Sequence, residues 1–376
     1  MSTRLLFAVS SPVSAYYFLR GQLNFLKERG FTVFLASSDD GAVKGWAREQ
    51  GATFLDSGTV RQPSVRRDLV SVRLIAGIIL SVKPKIVVYG TPKAALLFGL
   101  ISRILRVKHR IYLVHGLRYE GYHGWLRRLF ILIEQLICSS STRIVCVSES
   151  VRDRVVEDVQ CDYLQTIVLG SGSPNGVDQE RFSIATFEER ERARASFGLS
   201  SDSVVVSFIG RLNPDKGLPL LPELALALEC NSKDVCLLIA GEAEGKGLEA
   251  AQILSNSAVA RLVGQVPDVE RVYWASDVVV LPTKREGLPT VLIEAGACGV
   301  PVVASKVTGC VDVVVDGVNG KLVEGNDAHE WAHAIDDCLA AFSTPESARA
   351  IRESAISRFS SQHVWSNWGD LLNSLK

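Results

Sequence analysis

The stretch Ser203-Val-Val-Val-Ser-Phe-Ile-Gly-Arg-Leu-Asn-Pro-Asp-Lys-Gly217 passes from a β-branched apolar run into a loop of turn formers and cations. The apolar run reads as a strand, and the glycine at its end lets the backbone turn sharply. Arg211 then offers a planar fork of donors, and Lys216 opens the next helix with a point charge. Such a pair suits a diphosphate. The plainer alternative is two solvent-facing cations, the usual state of Arg and Lys.

Working outward, the same rhythm recurs along the chain. In the second half, strands are expected at Val235 to Ala240, Arg261 to Val263, Val278 to Leu281 and Val302 to Ala304. In the first half they are expected at Leu5 to Val9, Thr32 to Ala36, Ile86 to Tyr89, Arg110 to Val114 and Ile144 to Val147, with helices at Tyr16 to Arg29, Arg67 to Val82, Pro92 to Leu105 and Trp125 to Cys138. Strands alternating with helices predict an α/β fold with parallel sheets covered on both faces. The rhythm breaks at Gly170-Ser-Gly-Ser-Pro-Asn-Gly-Val-Asp178, a cluster of turn formers that reads as a linker. The expected organisation is therefore two Rossmann-like, doubly wound domains facing a cleft, residues 1–172 and 173–360. Ligands of such sheets bind beyond the carboxyl ends of the strands, which points to the loops after Val9, Val114, Ile209, Ala240 and Leu281. The final segment, 361–376, carries Trp365, Trp368 and Leu371 at helical spacing.

Length and composition agree. A chain of 376 residues is long enough for two cores, and 47% hydrophobic with 22% charged residues is ordinary for a globular protein. The formal net charge is zero, but residues 1–178 carry 23 basic and 14 acidic side chains while 179–376 carry 18 and 27. Within the basic half, Arg61 to Arg110 holds eleven cations against the single acid Asp68. The eight cysteines never approach CxxC spacing, which suits buried thiols in a reducing cytosol better than disulfides or zinc. The apolar run Leu5 to Val9 is too short for an export signal, and Leu74 to Val82 falls short of the ~20 residues of a membrane helix.

The loop after Leu281 reads Pro282-Thr-Lys-Arg-Glu-Gly-Leu-Pro-Thr-Val-Leu-Ile-Glu294. Pro289 fits the first turn of a helix, which would present the N–H groups around Gly287, Leu288 and Thr290 to an anion. Glu286 before that helix and Glu294 within it are poor phosphate ligands but good acceptors for sugar or ribose hydroxyls. Alternatively, Glu286 caps the helix and Glu294 is solvated. His329-Glu-Trp-Ala-His333 spells a zinc-protease signature, but Asn326-Asp327 ahead of it reads as an ordinary helix cap, and the match is taken as chance.

Together, Gly210-Arg-Leu with Lys216-Gly217, Glu286-Gly-Leu-Pro…Glu294, Ala297-Cys-Gly-Val-Pro301 and Asn175-Gly-Val-Asp178 resemble the retaining family-4 glycosyltransferases of GT-B fold. Val114-His-Gly-Leu-Arg118 and the linker look most like the branch that builds capsule, O-antigen and related lipid-linked oligosaccharides. The resemblance implies that Gly210, Arg211 and Lys216 hold the donor diphosphate, that Glu286 contacts the transferred sugar and that Glu294 takes the ribose hydroxyls. It further implies that His115 faces the donor sugar and that Val263 and Gly264 lie in the base-binding stretch. A lone histidine at a strand end is otherwise a structural hydrogen-bonder. The segment 361–376 would cross back to the first domain, or is simply a surface-packed terminal helix. Where many relatives carry Gly-Gly after the first strand, this chain has Ser10-Ser11-Pro12.

The expected activity is retaining transfer of a hexose or N-acetylhexosamine from a UDP-sugar to a polyprenyl-diphosphate-linked saccharide, in bacterial surface polysaccharide or glycan biosynthesis. Catalysis would rest on positioning and on stabilising the leaving nucleotide diphosphate. Two cations and a helix start already supply positive charge and no Asp-x-Asp motif is present, so no metal or other cofactor is demanded. The basic segment, extended by Arg118, Arg127 and Arg128 beside Tyr119, Tyr122 and Trp125, is either a solvated face or a patch for an anionic membrane surface. RNA binding is disfavoured because aromatics are sparse in the segment. A peripheral location on the cytoplasmic side of the cell membrane follows. The rivals are a UDP-sugar 2-epimerase on a similar fold and a two-domain sugar-binding protein without chemistry.

Overall fold

The computed structural model describes residues 2–59, 65–231, 234–243, 245 and 247–376. Arg61, the first cation of the basic segment, lies outside the described residues. The chain divides into two compact units, Met1–Gly176 with Ser361–Lys376, and Val177–Ser360.

The first unit holds seven strands, β1 (Thr3–Ala8), β2 (Phe31–Ser37), β3 (Thr53–Asp56), β4 (Ile86–Gly90), β5 (His109–Val114), β6 (Arg143–Cys146) and β7 (Thr166–Val168). They form one sheet in the order β3-β2-β1-β4-β5-β6-β7, and every pairing is parallel. The second unit holds β8 (Val204–Ile209), β9 (Val235–Ala240), β10 (Ala260–Gly264), β11 (Val278–Leu281), β12 (Val302–Ser305) and β13 (Gly320–Val323), in the parallel order β10-β9-β8-β11-β12-β13. Central strands are apolar without alternation because helices cover both faces; all of β4 and all of β11 are buried. Both sheets reverse their winding between the first and fourth strands. That is where a doubly wound sheet opens a crevice beyond its strand ends, between β1 and β4 in one unit and between β8 and β11 in the other. The architecture is the doubly wound α/β fold that the strand–helix alternation predicts.

Several local expectations change. The helix expected over Tyr16 to Arg29 is two helices, Pro12–Phe18 and Gln22–Glu28. Gly21 interrupts it with φ +76, and a Cβ there would come within 2.4 Å of Trp365. Strands β3, β7 and β13 were not anticipated, since each is only three or four residues long and none is fully buried. The terminal helix Ser361–Asn373 belongs to the first unit, where Trp365 Nε1 donates to Asn175 Oδ1 at 2.7 Å and Arg29 pairs with Asp370 at 3.3 Å. All eight cysteines are free thiols, and five of them are buried.

Candidate functional site

In the second unit the loop leaving β8 does not run straight into a helix. Residues Pro214–Lys216 make a 3₁₀ turn capped by Asn213, whose Oδ1 accepts from Lys216 N at 3.1 Å, and the following helix begins only at Leu221. Lys216 therefore ends a turn and does not open a helix as expected. Gly217 follows with φ +83, and a Cβ there would sit 1.8 Å from the Pro282 carbonyl oxygen. Only glycine lets this loop press against the end of β11.

The two loops are stitched together. The Asp215 carbonyl accepts from Lys284 N at 2.9 Å and from Thr283 Oγ1 at 3.0 Å, while its carboxylate pairs with Arg285 at 3.0 Å. Lys216 Nζ is ion-paired with Glu286, and both side chains are largely buried. A switch-point crevice thus gathers Gly210, Arg211, Lys216 and Glu286, with Gly287 and Leu288 next in the chain. Gly210 N is held by the Ala240 carbonyl at 2.9 Å, and the Arg211 side chain is exposed. Lys216 and Glu286 are 70 positions apart in sequence, so their pairing has no local signal. Pro289 is the N-cap of helix Thr290–Ala297, one residue earlier than expected, and no side chain caps that end. The Leu292 N–H turns back to the Pro289 carbonyl at 3.2 Å, and no side-chain acceptor stands at the helix start.

Glu294 lies five residues into that helix, half-buried and held by a partner. Tyr273 on helix Glu270–Ala275 is fully buried and donates its hydroxyl to Glu294 Oε2 at 2.6 Å. Burial pushes the Glu294 carboxyl up to about 7, while the Tyr273 hydrogen bond and the field of Arg181 hold it down. Arg181 in turn is fixed by Glu270 at 2.7 Å and by the Pro267 carbonyl at 3.2 Å. Sequence reasoning missed Tyr273 and Arg181, which come from remote segments with no motif of their own. Val263 and Gly264 end the edge strand β10. The pairing with β9 skips Val263, a bulge that bends the strand, and the Gly264 carbonyl accepts from Gly241 N at 2.7 Å.

In the first unit His115 follows the last residue of β5. The Phe18 ring stacks on its imidazole with centroids 4.3 Å apart, and burial alone pulls it down to about 4, so it is neutral at pH 7. Its Nδ1 is buried with no hydrogen-bond partner among the described residues. Gly90 makes room for the ring, since a Cβ there would approach Nε2 to 2.5 Å. After β1, Ser10 hydrogen-bonds Thr91 through both its backbone N and its Oγ, at 3.1 and 2.6 Å, and Ser11 caps helix Pro12–Phe18. The serine pair thus closes the loop with hydroxyls. His329, Glu330 and His333 are exposed on helix Ala328–Ala341, capped by Asp327, and the described residues contain no group of three or more side chains able to hold a metal.

The profile described as "Glycosyl transferases group 1" matches residues 189–358, and that described as "Glycosyltransferase Family 4" matches residues 18–181. The capsular polysaccharide biosynthesis glycosyltransferase CapM of Staphylococcus aureus is 30% identical over 381 residues, covering 99% of this chain and 98% of that protein. A D-inositol 3-phosphate glycosyltransferase of Mycobacterium sp. (strain KMS) is 36% identical over 203 residues, which is 50% of this chain and 45% of that one. Among solved structures, Anabaena HepE in complex with UDP and glucose superposes with a TM-score of 0.80 at 21% identity, covering 99% of this chain and 100% of that one. WaaG, a glycosyltransferase involved in lipopolysaccharide biosynthesis, gives 0.71 at 15% identity, covering 98% and 99%.

Proposed function

The chain belongs to the group 1, family 4 glycosyltransferases of GT-B fold, and from that premise we propose that it transfers a hexose or N-acetylhexosamine, with retention, from a UDP-sugar to a polyprenyl-diphosphate-linked saccharide. The observation that carries the donor half is the stitched pair of loops after β8 and β11. They pair Lys216 with Glu286 just ahead of a helix start without a side-chain cap, with Arg211 at the head of the first loop, at the switch point of one sheet. Positive groups gathered at a strand-end crevice suit a diphosphate, and adjacent carboxylates suit sugar hydroxyls. The UDP and UDP-glucose complexes of HepE, and the capsule role in the name of CapM, favour the same donor and pathway class.

In this reading Arg211, Lys216 and the N–H groups of Gly287, Leu288 and Thr290 receive the pyrophosphate and stabilise charge as the sugar–phosphate bond breaks. Lys216 carries three donors, so one can stay on Glu286 while others meet phosphate oxygen. Glu286 accepts from a hydroxyl of the transferred sugar. Glu294, poised by Tyr273, accepts from the ribose hydroxyls, and the bulged end of β10 at Val263–Gly264 borders the base. The acceptor hydroxyl attacks from the face the diphosphate leaves and gives its proton to the departing phosphate. Neutral His115, with one nitrogen unspent, hydrogen-bonds the transferred sugar. These cations already stabilise the leaving group, so the proposal requires no metal. The protein would work at the cytoplasmic face of the cell membrane, its basic segment towards anionic lipid.

Incubation with a panel of UDP-sugars, with and without a polyprenyl-diphosphate-linked sugar, followed by mass spectrometry and NMR of the anomeric proton, tests this reading. The expected product is an elongated lipid-linked saccharide that keeps the donor's anomeric configuration. Conversion of the UDP-sugar alone into its 2-epimer, or an inverted linkage, would overturn it.

A further inference from the structure

Three helices of the first unit, Val65–Val82, Pro92–Ile104 and Gly124–Ser140, pack side by side in one layer. The inner face of the third is ordinary, with Glu134, Ile137, Cys138 and Ser140 buried. Its outer face is not. Trp125, Leu129, Leu132 and Leu136 are 71%, 42%, 60% and 43% exposed. Their spacing of four, three and four residues puts them in a single stripe, roughly 16 Å long at 1.5 Å per residue. A helix on the surface of a water-soluble fold normally turns its polar side outward. Here the outward side is apolar, and Glu134, the only acid of the helix, points inward.

The neighbouring helices continue the pattern. Leu69 and Ile104, on the other two helices of the layer, are 62% and 74% exposed. Arg66, Arg73, Arg103 and Arg128 are exposed on the same three helices, where the only other acid is Asp68, held by Lys93. An exposed apolar stripe bordered by arginines and lacking exposed acids is complementary to a surface that is apolar inside and anionic at its rim. Among the described residues, no helix is long and apolar enough to cross a membrane.

We propose that helix Gly124–Ser140 lies in the plane of an anionic lipid surface, with Trp125, Leu129, Leu132 and Leu136 sunk below the headgroups and the flanking arginines at phosphate level. This goes beyond attraction of the basic segment to charge, because part of the binding must survive salt. It deepens the reading of a lipid-linked acceptor and rests on that reading for its purpose, though its geometry does not.

Flotation with equimolar phosphatidylglycerol and phosphatidylcholine vesicles tests it, using the wild type and the triple variant Leu129→Ser/Leu132→Ser/Leu136→Ser. All three leucines are exposed, so the variant should fold, and unchanged UDP affinity would verify this. At about 1 M salt, where charges are screened within about 3 Å, the wild type should stay vesicle-bound and the variant should bind at least about tenfold less. Brominated lipid should quench wild-type fluorescence, and the quenching should fall in Trp125→Phe. Complete release of the wild type by salt, equal flotation of the variant, or unchanged quenching in Trp125→Phe would each overturn the proposal. So would a wild-type dimer in sedimentation that the triple variant dissociates, since a second copy would then cover the stripe. Sugar transfer to the detergent-solubilised acceptor reports separately on the activity, so failure of one reading is not failure of the other.

Discussion

Replacing Glu294 by Gln keeps the shape of the side chain while removing its charge and its titration. Ribose hydroxyls that donate to a carboxylate make charge-assisted bonds, and trading these for neutral ones should cost about 1–2 kcal/mol, or about 5- to 30-fold in UDP affinity. The pH dependence is more telling. Burial raises the Glu294 carboxyl to about 7. A ligand that donates to the carboxylate binds its ionised form, so below pH 7 binding must expel a proton. Wild-type affinity should fall by up to about tenfold per pH unit there, equivalent to about 1.4 kcal/mol. The terminal phosphate of UDP itself titrates near about 6, but equally with both proteins, so the difference between wild type and variant isolates Glu294. Calorimetry across about pH 6–8, in buffers of differing ionisation heat, should show proton release for the wild type that the variant lacks. Parallel affinity profiles, or a variant that binds UDP as tightly as the wild type, would refute the reasoning. Stability moves in a related way. A carboxyl raised from 4.5 to about 7 holds its proton more tightly in the folded chain. Its stabilising effect is therefore complete below the unfolded value and is lost as pH rises through 7, amounting to at most about 3 kcal/mol.

Lys216→Ala should lower kcat by about 10²–10³ by removing a charge from the leaving diphosphate, and circular dichroism should show an intact fold. Gly217→Ala forces a side chain into a left-handed backbone and onto the Pro282 carbonyl. It should lower stability by about 2 kcal/mol or more and weaken UDP binding, as read by urea unfolding and calorimetry. Gly90→Ala drives a methyl into His115; it should cost about 1–3 kcal/mol, and the double variant Gly90→Ala/His115→Ala should recover most of that stability while still lacking transferase activity.

Much of this was legible in the chain because the central strands are buried on both faces and so read as unbroken apolar runs. Val204–Ile209, Val235–Ala240 and Val278–Leu281 stand in the sheet within one residue of their expected bounds. The loops holding Gly210, Arg211 and Lys216, and Glu286 through Thr290, follow strand ends for the same reason. What stayed hidden was set by distant contacts. The outer strands β3, β7 and β13 owe their existence to a neighbour's hydrogen bonds more than to their own residues. Gly21 breaks a helical pattern because Trp365, more than 300 residues later, occupies the space a side chain would need. The environment of Glu294 depends on Tyr273 and Arg181, which no spacing rule joins to it. The exposed stripe on helix Gly124–Ser140 has the period of any amphipathic helix, and sequence alone cannot say which of its faces turns inward.

The most direct test of the central claim is a crystal structure with UDP bound. The pyrophosphate should lie against Arg211, Lys216 and the start of helix Thr290–Ala297, with the ribose hydroxyls on Glu294 and the base beside Val263 and Gly264. A nucleotide seated away from the strand ends of β8 and β11, or held in the first unit, would contradict the account.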